Sequence, residues 1–315
     1  MRTSPSSLSA STAGSSFPDA AFAFTVHSIF PRAANLRPSD GAYLLSLVSD
    51  SAKAHPRGAV VPEARFDEWE LFPGDAGSCD GSLIRFAGNR RDAPVVLLPR
   101  SRVPPADEGP SCRKRTGAAT PSAAERASFL RPAAVAVEAL RAERGAEPSL
   151  AELFGTAVPE GNGFAARFVR AALELEAAAA ALSVPLLLGA ARSLAGFGPG
   201  LTPAGDDFLC GWLAGQRSRA ADDLSLDDFL DAWGRSAFGT DGLAGRTNDI
   251  SAAFLADAVE GRFGAALVAF ADAAIGTAAG DAIEHAVAVL GSLGHSSGTD
   301  AAAGFLFAYR LEIGG

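Results

Sequence analysis

The chain has 315 residues, 48% of them hydrophobic, and carries 27 Lys and Arg against 36 Asp and Glu, a net charge of −9. That length suits roughly two domains with an ample core. The acidic balance argues against nucleic acid as a partner, because phosphate backbones select basic surfaces, and the absence of any uninterrupted apolar run of ~20 residues argues against a membrane-spanning helix.

Residues 1–21 are rich in Ser, Ala and Pro. Without a basic start and a sustained apolar core they read as a disordered tail, not a signal peptide. From 22 to 103 the chain is written in short strand-like runs, at 24–30, 43–48, 59–61, 83–87 and 94–98. Turn signals at 37–41 and 73–77 separate them, a spacing that predicts a small β-barrel or sandwich. Residues 104–121 are dense in Pro, Gly and charge and read as a linker or exposed loop. From 122 to 315 the period becomes helical. Helices are expected at 123–144, 163–182, 203–216, 226–237, 251–260, 262–273, 281–290 and 299–311. The predicted fold class is therefore α+β, a small N-terminal β-barrel or sandwich-like domain followed by an all-helical domain. Cys79, Cys112 and Cys210 are odd in number and fit no disulfide or zinc spacing, which suits a reducing, cytoplasmic setting.

The densest chemical signal is GFGPGLTPAGDDFLCG, residues 196–211. Its glycines and prolines exclude regular structure. Thr202 and Pro203 then read as an N-cap and first helical residue. A glycine turn feeding a helix start presents N–H groups of Gly198, Gly200 and Thr202 to an anion such as phosphate or carboxylate. Asp206 and Asp207 follow in the first turn, able to hold Mg²⁺ or act as a base, although nothing in the sequence fixes a metal. Two further blocks resemble helix starts. In Arg246-Thr247-Asn248-Asp249, Thr247 reads as the N-cap and Arg246 as a clamp for carboxylate or phosphate. In Gly294-His295-Ser296-Ser297-Gly298-Thr299-Asp300, Ser297 and Asp300 have capping-box spacing. There Ser296, Ser297 and backbone amides suit an anion, and His295 suits proton transfer. Ordinary turns and caps account for each block taken alone.

The blocks GFGPGLTPAGDDFLCG, RTNDISAAFLADAVEGRF and LGHSSGTDAAAGFLFAY, in this order, resemble those of a bacterial family that contains one subunit of the oxamate carbamoyltransferase of anaerobic allantoin breakdown. The stretches Ser28-Ile29-Phe30 and Ala34-Asn35-Leu36 resemble that family's start. The resemblance implies a complex with other subunits, one similar to acyl-CoA synthetases. It also implies phosphorolysis of oxalurate to oxamate and carbamoyl phosphate, or the reverse. On this reading Asp206, Asp207 and His295 carry the chemistry. Gly198, Gly200, Thr202, Arg246, Thr247, Ser296, Ser297 and Asp300 would surround the anion. Adjacent helical residues point about 100° apart, so one aspartate is expected to face the ligand and the other to be tied to backbone, Arg246 or a neighbouring arginine. The alternatives are a non-catalytic ligand-binding or scaffolding subunit, and a stand-alone metal-dependent hydrolase using Asp206, Asp207, Asp300 and His295.

Overall fold

The computed structural model describes residues 7–41, 43–87, 94–100, 123–155, 159–220, 223–237, 242–275 and 280–310. The chain divides into two compact units, Met1–Asp107 and Glu108–Gly315. The first is β and the second helical, the α+β class that the change of sequence period predicts.

Nine strands of the first unit form one mixed sheet among the described residues. They are β1 (Ser7–Ser9), β2 (Thr12–Ala13), β3 (Phe22–Phe30), β4 (Ala33–Pro38), β5 (Leu45–Val48), β6 (Gly58–Val60), β7 (Ala76–Cys79), β8 (Leu83–Phe86) and β9 (Val95–Leu97). Their order is β1-β9-β8-β7-β3-β4-β5-β6-β2. The two outermost strands are thus β1 and β2, which are only two residues apart in the chain. Ala10 N donates to Leu97 O at 2.8 Å, and Ser11 N donates to Val60 O at 2.8 Å. The sheet therefore curls until both of its edges meet on one segment, which leaves little unpaired strand edge.

This closure overturns the expectation of a disordered tail through residue 21. From Ser7 onward the segment is structural, with Ala10, Ala13 and Phe17 buried. Its Ser-rich composition hid this, because backbone hydrogen bonds to two strands do most of the holding and few apolar side chains are needed. Two further strands escaped the sequence reading. Part of β4 was read as the turn at 37–41, and β7 was masked by the glycines at 73–77. Gly77 pairs with Phe24, whose ring fills the space a Cβ would take. An aromatic thus covers a strand glycine that looked like a turn. Ser28 and Asn35 are register partners, and so are Asn35 and Ser46. Asn35 Nδ2 donates to Ser28 Oγ at 2.9 Å and Ser46 Oγ donates to Asn35 Oδ1 at 2.8 Å, which satisfies a buried amide. The segment 104–121 expected as a linker lies outside the described residues.

The helical unit contains α1 (Ala123–Glu143), α2 (Leu150–Phe154), α3 (Phe164–Ala180), α4 (Val184–Leu194), α5 (Ala204–Ala220), α6 (Leu224–Ala237), α7 (Asp249–Val259), α8 (Ala265–Ile275), α9 (Gly280–Gly291) and α10 (Ser297–Arg310). Eight of these were expected. Helices α2 and α4 were missed, although α2 opens with a full Ser149/Glu152 capping box and α4 has Pro185 in its first turn.

Helix α5 is buried along most of its length and makes its most extensive contact with α10. A side chain at Gly211 would overlap the Ala301 carbonyl, one at Gly304 the Phe208 carbonyl, and one at Gly215 the Ala308 methyl. The contacts 202–297, 211–301, 215–305 and 219–308 advance together along both chains, so the two helices are parallel. Their backbones touch because glycine stands at the crossing. On an adjacent face of α5, Glu176 of α3 is 3% exposed. It accepts from Trp212 Nε1 at 2.6 Å and lies 3.3 and 3.4 Å from Gln216 Nε2. Burial pushes its carboxyl up to about 8, against the opposing pull of Trp212, Arg219 and Gln216.

Two outcomes are expected. Gly211→Ala should destabilise the helical unit by about 1–3 kcal/mol through overpacking, measured by urea denaturation. Because the Glu176 carboxyl titrates higher folded than unfolded, its contribution is present below pH 4.5 and is lost as pH rises toward about 8. Glu176→Gln should therefore melt close to wild type near pH 4.5 and, on the order of a few degrees, higher than wild type above pH 8. An equal difference at both pH values would mean that Glu176 is charged when folded.

Candidate functional site at the paired helix starts

The loop before α5 is shaped by three glycines with positive φ, Gly196 at 73°, Gly198 at 117° and Gly200 at 105°. Gly196 also leaves the space into which the Arg246 carbonyl packs. Phe197 N donates to Leu194 O, and Gly205 N donates to Phe197 O, both at 2.8 Å, which closes the base of the loop. Among the described residues the amides of Gly198, Gly200, Leu201 and Thr202 make no backbone hydrogen bond. Four N–H donors thus stand at the start of α5.

Asp206 ties the second block to this loop. Its carboxylate accepts from Gly196 N at 2.8 Å and from the Thr247 hydroxyl. Thr247 is consequently not the cap of α7, as the sequence suggested. That role belongs to Asn248, whose Oδ1 accepts from Ile250 N at 3.0 Å and Ser251 N at 3.1 Å. Asn248 Nδ2 also donates to Leu201 O at 2.8 Å. Both residues cap something, but Thr247 serves a carboxylate 41 positions away.

The third block joins through Thr202 and Ser297, whose hydroxyl oxygens are 2.6 Å apart. Thr202 is not the cap of α5 either, since Pro203 supplies the carbonyl that Asp206 N and Asp207 N bond. Nor do Ser297 and Asp300 form a capping box. Helix α10 starts at Ser297, and the Ser296 carbonyl accepts from Asp300 N and Thr299 Oγ1, each at 2.8 Å. The Asp300 carboxylate turns inward to Arg141 Nη1 of α1 at 2.7 Å, with both side chains 2% exposed. Arg141 Nη2 donates to Pro148 O at 2.6 Å. One turn on, Arg144 donates to the Gly291 carbonyl and, at 2.8 Å, to the His295 carbonyl. Arg141 in the last turn of α1 and Arg144 just after it therefore hold the third block in place. Sequence reasoning did not single them out, because an arginine at i, i+3 on an exposed-looking helix carries no local sign of a partner some 150 residues away.

Burial raises the carboxyls of Asp206, Asp207 and Asp300 above their ordinary range. For Asp300, Arg141 opposes the shift; for Asp206, Thr247 and the Gly196 amide do. Asp207 is raised furthest. Burial comes first, then the neighbouring Asp300, while the Ser297 hydroxyl opposes and Asp206 adds to the rise. The Oδ2 atoms of Asp207 and Asp300 are sealed from solvent without a hydrogen-bond partner, whereas the Asp207 residue as a whole is only half-buried. The expectation of one tied and one untied aspartate thus corresponds to Asp206 and Asp207, with Gly196 and Thr247, not an arginine, as the tie. Arg246 and His295 are exposed. Arg246 touches the loop through its carbonyl, and His295 meets Arg144 through its own. Among the described residues no group of three or more His, Cys, Asp and Glu is placed to hold a metal ion, so the hydrolase alternative finds no ligand set there. Among the described residues Cys79 and Cys210 form no disulfide. No helix of the described residues is long and apolar enough to cross a membrane.

Thr247→Val removes one donor to the buried Asp206 carboxylate and should cost about 1–3 kcal/mol by chemical denaturation. Thr247→Ser keeps the hydroxyl and should recover most of it. A Val variant as stable as wild type would remove Asp206 as the anchor of the second block.

Comparison with known proteins bears on the same segments. Residues 194–309, which run from the end of α4 through α10 and contain all three blocks, match the family described as oxamate carbamoyltransferase subunit AllH. Residues 6–94, from the closing segment to the start of β9, match the AllH family N-terminal domain. No curated protein and no solved structure matched the chain. With both family domains present in order, one over the curled sheet and the other over the helices that hold the loop, the chain belongs to the AllH family.

Proposed function

We propose that the chain is a subunit of an oxamate carbamoyltransferase-like complex and that it binds phosphate or the small anionic substrate at the 198–202 loop. The reaction would be phosphorolysis of oxalurate to oxamate and carbamoyl phosphate, or its reverse. The observation that carries this reading is the set of four unpaired loop amides at Gly198, Gly200, Leu201 and Thr202, placed where two parallel helices begin. Such amides, with the dipoles of α5 and α10 behind them, favour an oxyanion. They would also stabilise charge developing on an attacked carbamoyl group. Arg246, exposed beside the loop, would supply a charged clamp for a carboxylate. Ser296 and Ser297 would offer hydroxyl and amide donors from the α10 side, and His295 would stand at the rim. Asp206, committed to Gly196 and Thr247, is reassigned from catalysis to shaping the loop. The partners would be the other subunits of the transferase, one of them acyl-CoA synthetase-like, in the cytoplasm.

A second reading is a ligand-binding or scaffolding subunit without chemistry of its own. It draws support from the structural commitments of Asp206, Asp300 and Thr247, which leave few side chains idle.

Phosphate and oxamate binding to the full chain, followed by calorimetry, tests the site. Arg246→Ala should weaken binding by about tenfold or more, the worth of a charged hydrogen bond, without changing the melting temperature. Gly200→Ala meets no neighbour within 4 Å but strains a φ of 105°, so it should weaken binding through the backbone alone. Absence of phosphate and oxamate binding in wild type would remove the site. Binding without any loss of turnover in the complex carrying Arg246→Ala would favour the second reading.

A further inference from the structure

Asp207 and Asp300 stand out within this arrangement. They come from the first turns of two parallel helices, α5 and α10, that touch at glycine. Each has an Oδ2 atom sealed from solvent without a hydrogen-bond partner. The charge of Asp300 acts on Asp207, and neighbouring carboxylates in a poorly solvated site resist carrying two charges, because like charges repel strongly there. The surroundings distinguish them. Asp300 has a buried guanidinium 2.7 Å from its Oδ1. Among the described residues no cation is a leading influence on Asp207, which is opposed only by the hydroxyls of Ser297 and Thr202.

We propose that Asp207 and Asp300 hold one proton between them, that Arg141 keeps the charge on Asp300 and so the proton on Asp207, and that Asp207 delivers this proton to the departing nitrogen of the substrate.

The last clause rests on the function proposed above. In that reaction an oxygen of hydrogenphosphate bonds to the carbamoyl carbon of oxalurate, and the bond from that carbon to the bridging nitrogen breaks. The nitrogen keeps the electron pair and takes the proton of Asp207, which leaves oxamate and carbamoyl phosphate. The proton that hydrogenphosphate releases on forming the new bond restores Asp207. An amide nitrogen is a poor leaving group until it is protonated, and a carboxyl that is still an acid at neutral pH is the group suited to the task. Arg141 acts through Asp300 and is a positioning residue.

The other charges around Asp207 are accounted for. Asp206, on the same helix, is bound to Gly196 and Thr247. Asp257 of α7 acts on Cys210, one turn further along, and is paired with Arg262 at 3.2 Å. The carboxylates of α6, Asp227 and Asp231, are each taken by Arg217 at 2.7 Å, toward the far end of α5. Arg192 of α4 and Asp272 of α8 are not among the leading influences on Asp207.

The proton itself is read by infrared titration of the full chain in a Glu176→Gln background, which removes the carboxyl of α3 that burial pushes up to about 8. A protonated-carboxyl band should persist at neutral pH and vanish in Asp207→Asn. In Asp300→Asn, where the neighbouring charge is gone, the band should disappear at a pH lower by about one unit or more. A band unchanged by Asp207→Asn, or a midpoint unmoved by Asp300→Asn, overturns the pair. Should Asp300→Asn fail to fold, Arg141→Lys, which keeps a cation but loosens its geometry, should move the same midpoint. Delivery of the proton is read on the assembled complex with oxalurate and phosphate. Asp207→Asn should lose at least about a hundredfold in kcat with a normal melting temperature, and Asp300→Asn should shift the alkaline limb of the pH profile downward. Full activity of Asp207→Asn overturns the delivery step. If the wild-type complex does not phosphorolyse oxalurate, the functional reading fails, while the infrared result still decides the pair.

Discussion

The close parallel approach of α5 and α10 is the constraint on which the rest of the helical unit depends. Gly211, Gly215 and Gly304 let backbone meet backbone, and no side chain larger than hydrogen fits at Gly211 or Gly304 without moving a carbonyl. Because the helices are parallel, both start at the same end, and their positive poles point into the same volume. Aligned dipoles repel, and acids in the first turn offset this. Asp206, Asp207 and Asp300 occupy those turns. Two of these carboxylates, Asp206 and Asp300, also tie the helix starts to their neighbours, through Gly196, Thr247 and Arg141.

The other supports are long-range and polar. Arg141, near the end of α1, and Arg144, just past it, reach Asp300 and the carbonyls of Gly291 and His295. Arg217 gathers Asp227, Asp231 and the Val259 carbonyl at 2.7 Å each. Breaking one member of such a set leaves a buried charge without compensation, which costs far more than the set contributes when whole. The structure is therefore sensitive at a few arginines that are unremarkable in sequence. It is tolerant at the many alanines that fill the helices.

The sequence showed what is local and hid what is not. The switch from short alternating runs to alanine-rich helical periods placed both halves of the fold, because period is set by neighbours along the chain. The glycine loop and the two other blocks were legible as helix starts for the same reason. Their partners were not. Thr202, Thr247 and Asp300 each have a good local capping explanation, and in each case a distant acceptor or donor outcompetes it: Ser297, Asp206 and Arg141. The closing segment of the sheet was hidden differently. Ser7–Ala13 has too little apolar content to look ordered, yet it binds two strand edges at once through backbone groups that carry no sequence signal.

An anion site beside buried acids looks contradictory until protonation is counted. Burial has already raised Asp206, Asp207 and Asp300, and the sign of this shift matters twice. A carboxyl that titrates higher when folded lends stability at low pH and loses it as pH rises through its folded value. The helix starts therefore hold together best when Asp207 is an acid. On the proposed function, an oxyanion arriving at the loop amides would add negative charge close to Asp207 and raise it further, so binding and proton uptake would reinforce each other. By linkage a proton on Asp207 would favour the anion as much as the anion would favour the proton. Two parallel helix starts, a glycine loop with idle amides and one raised carboxyl thus form a coherent set. In the proposed site the dipoles and amides would attract the anion, and a proton on Asp207 would remove the charge that repels it.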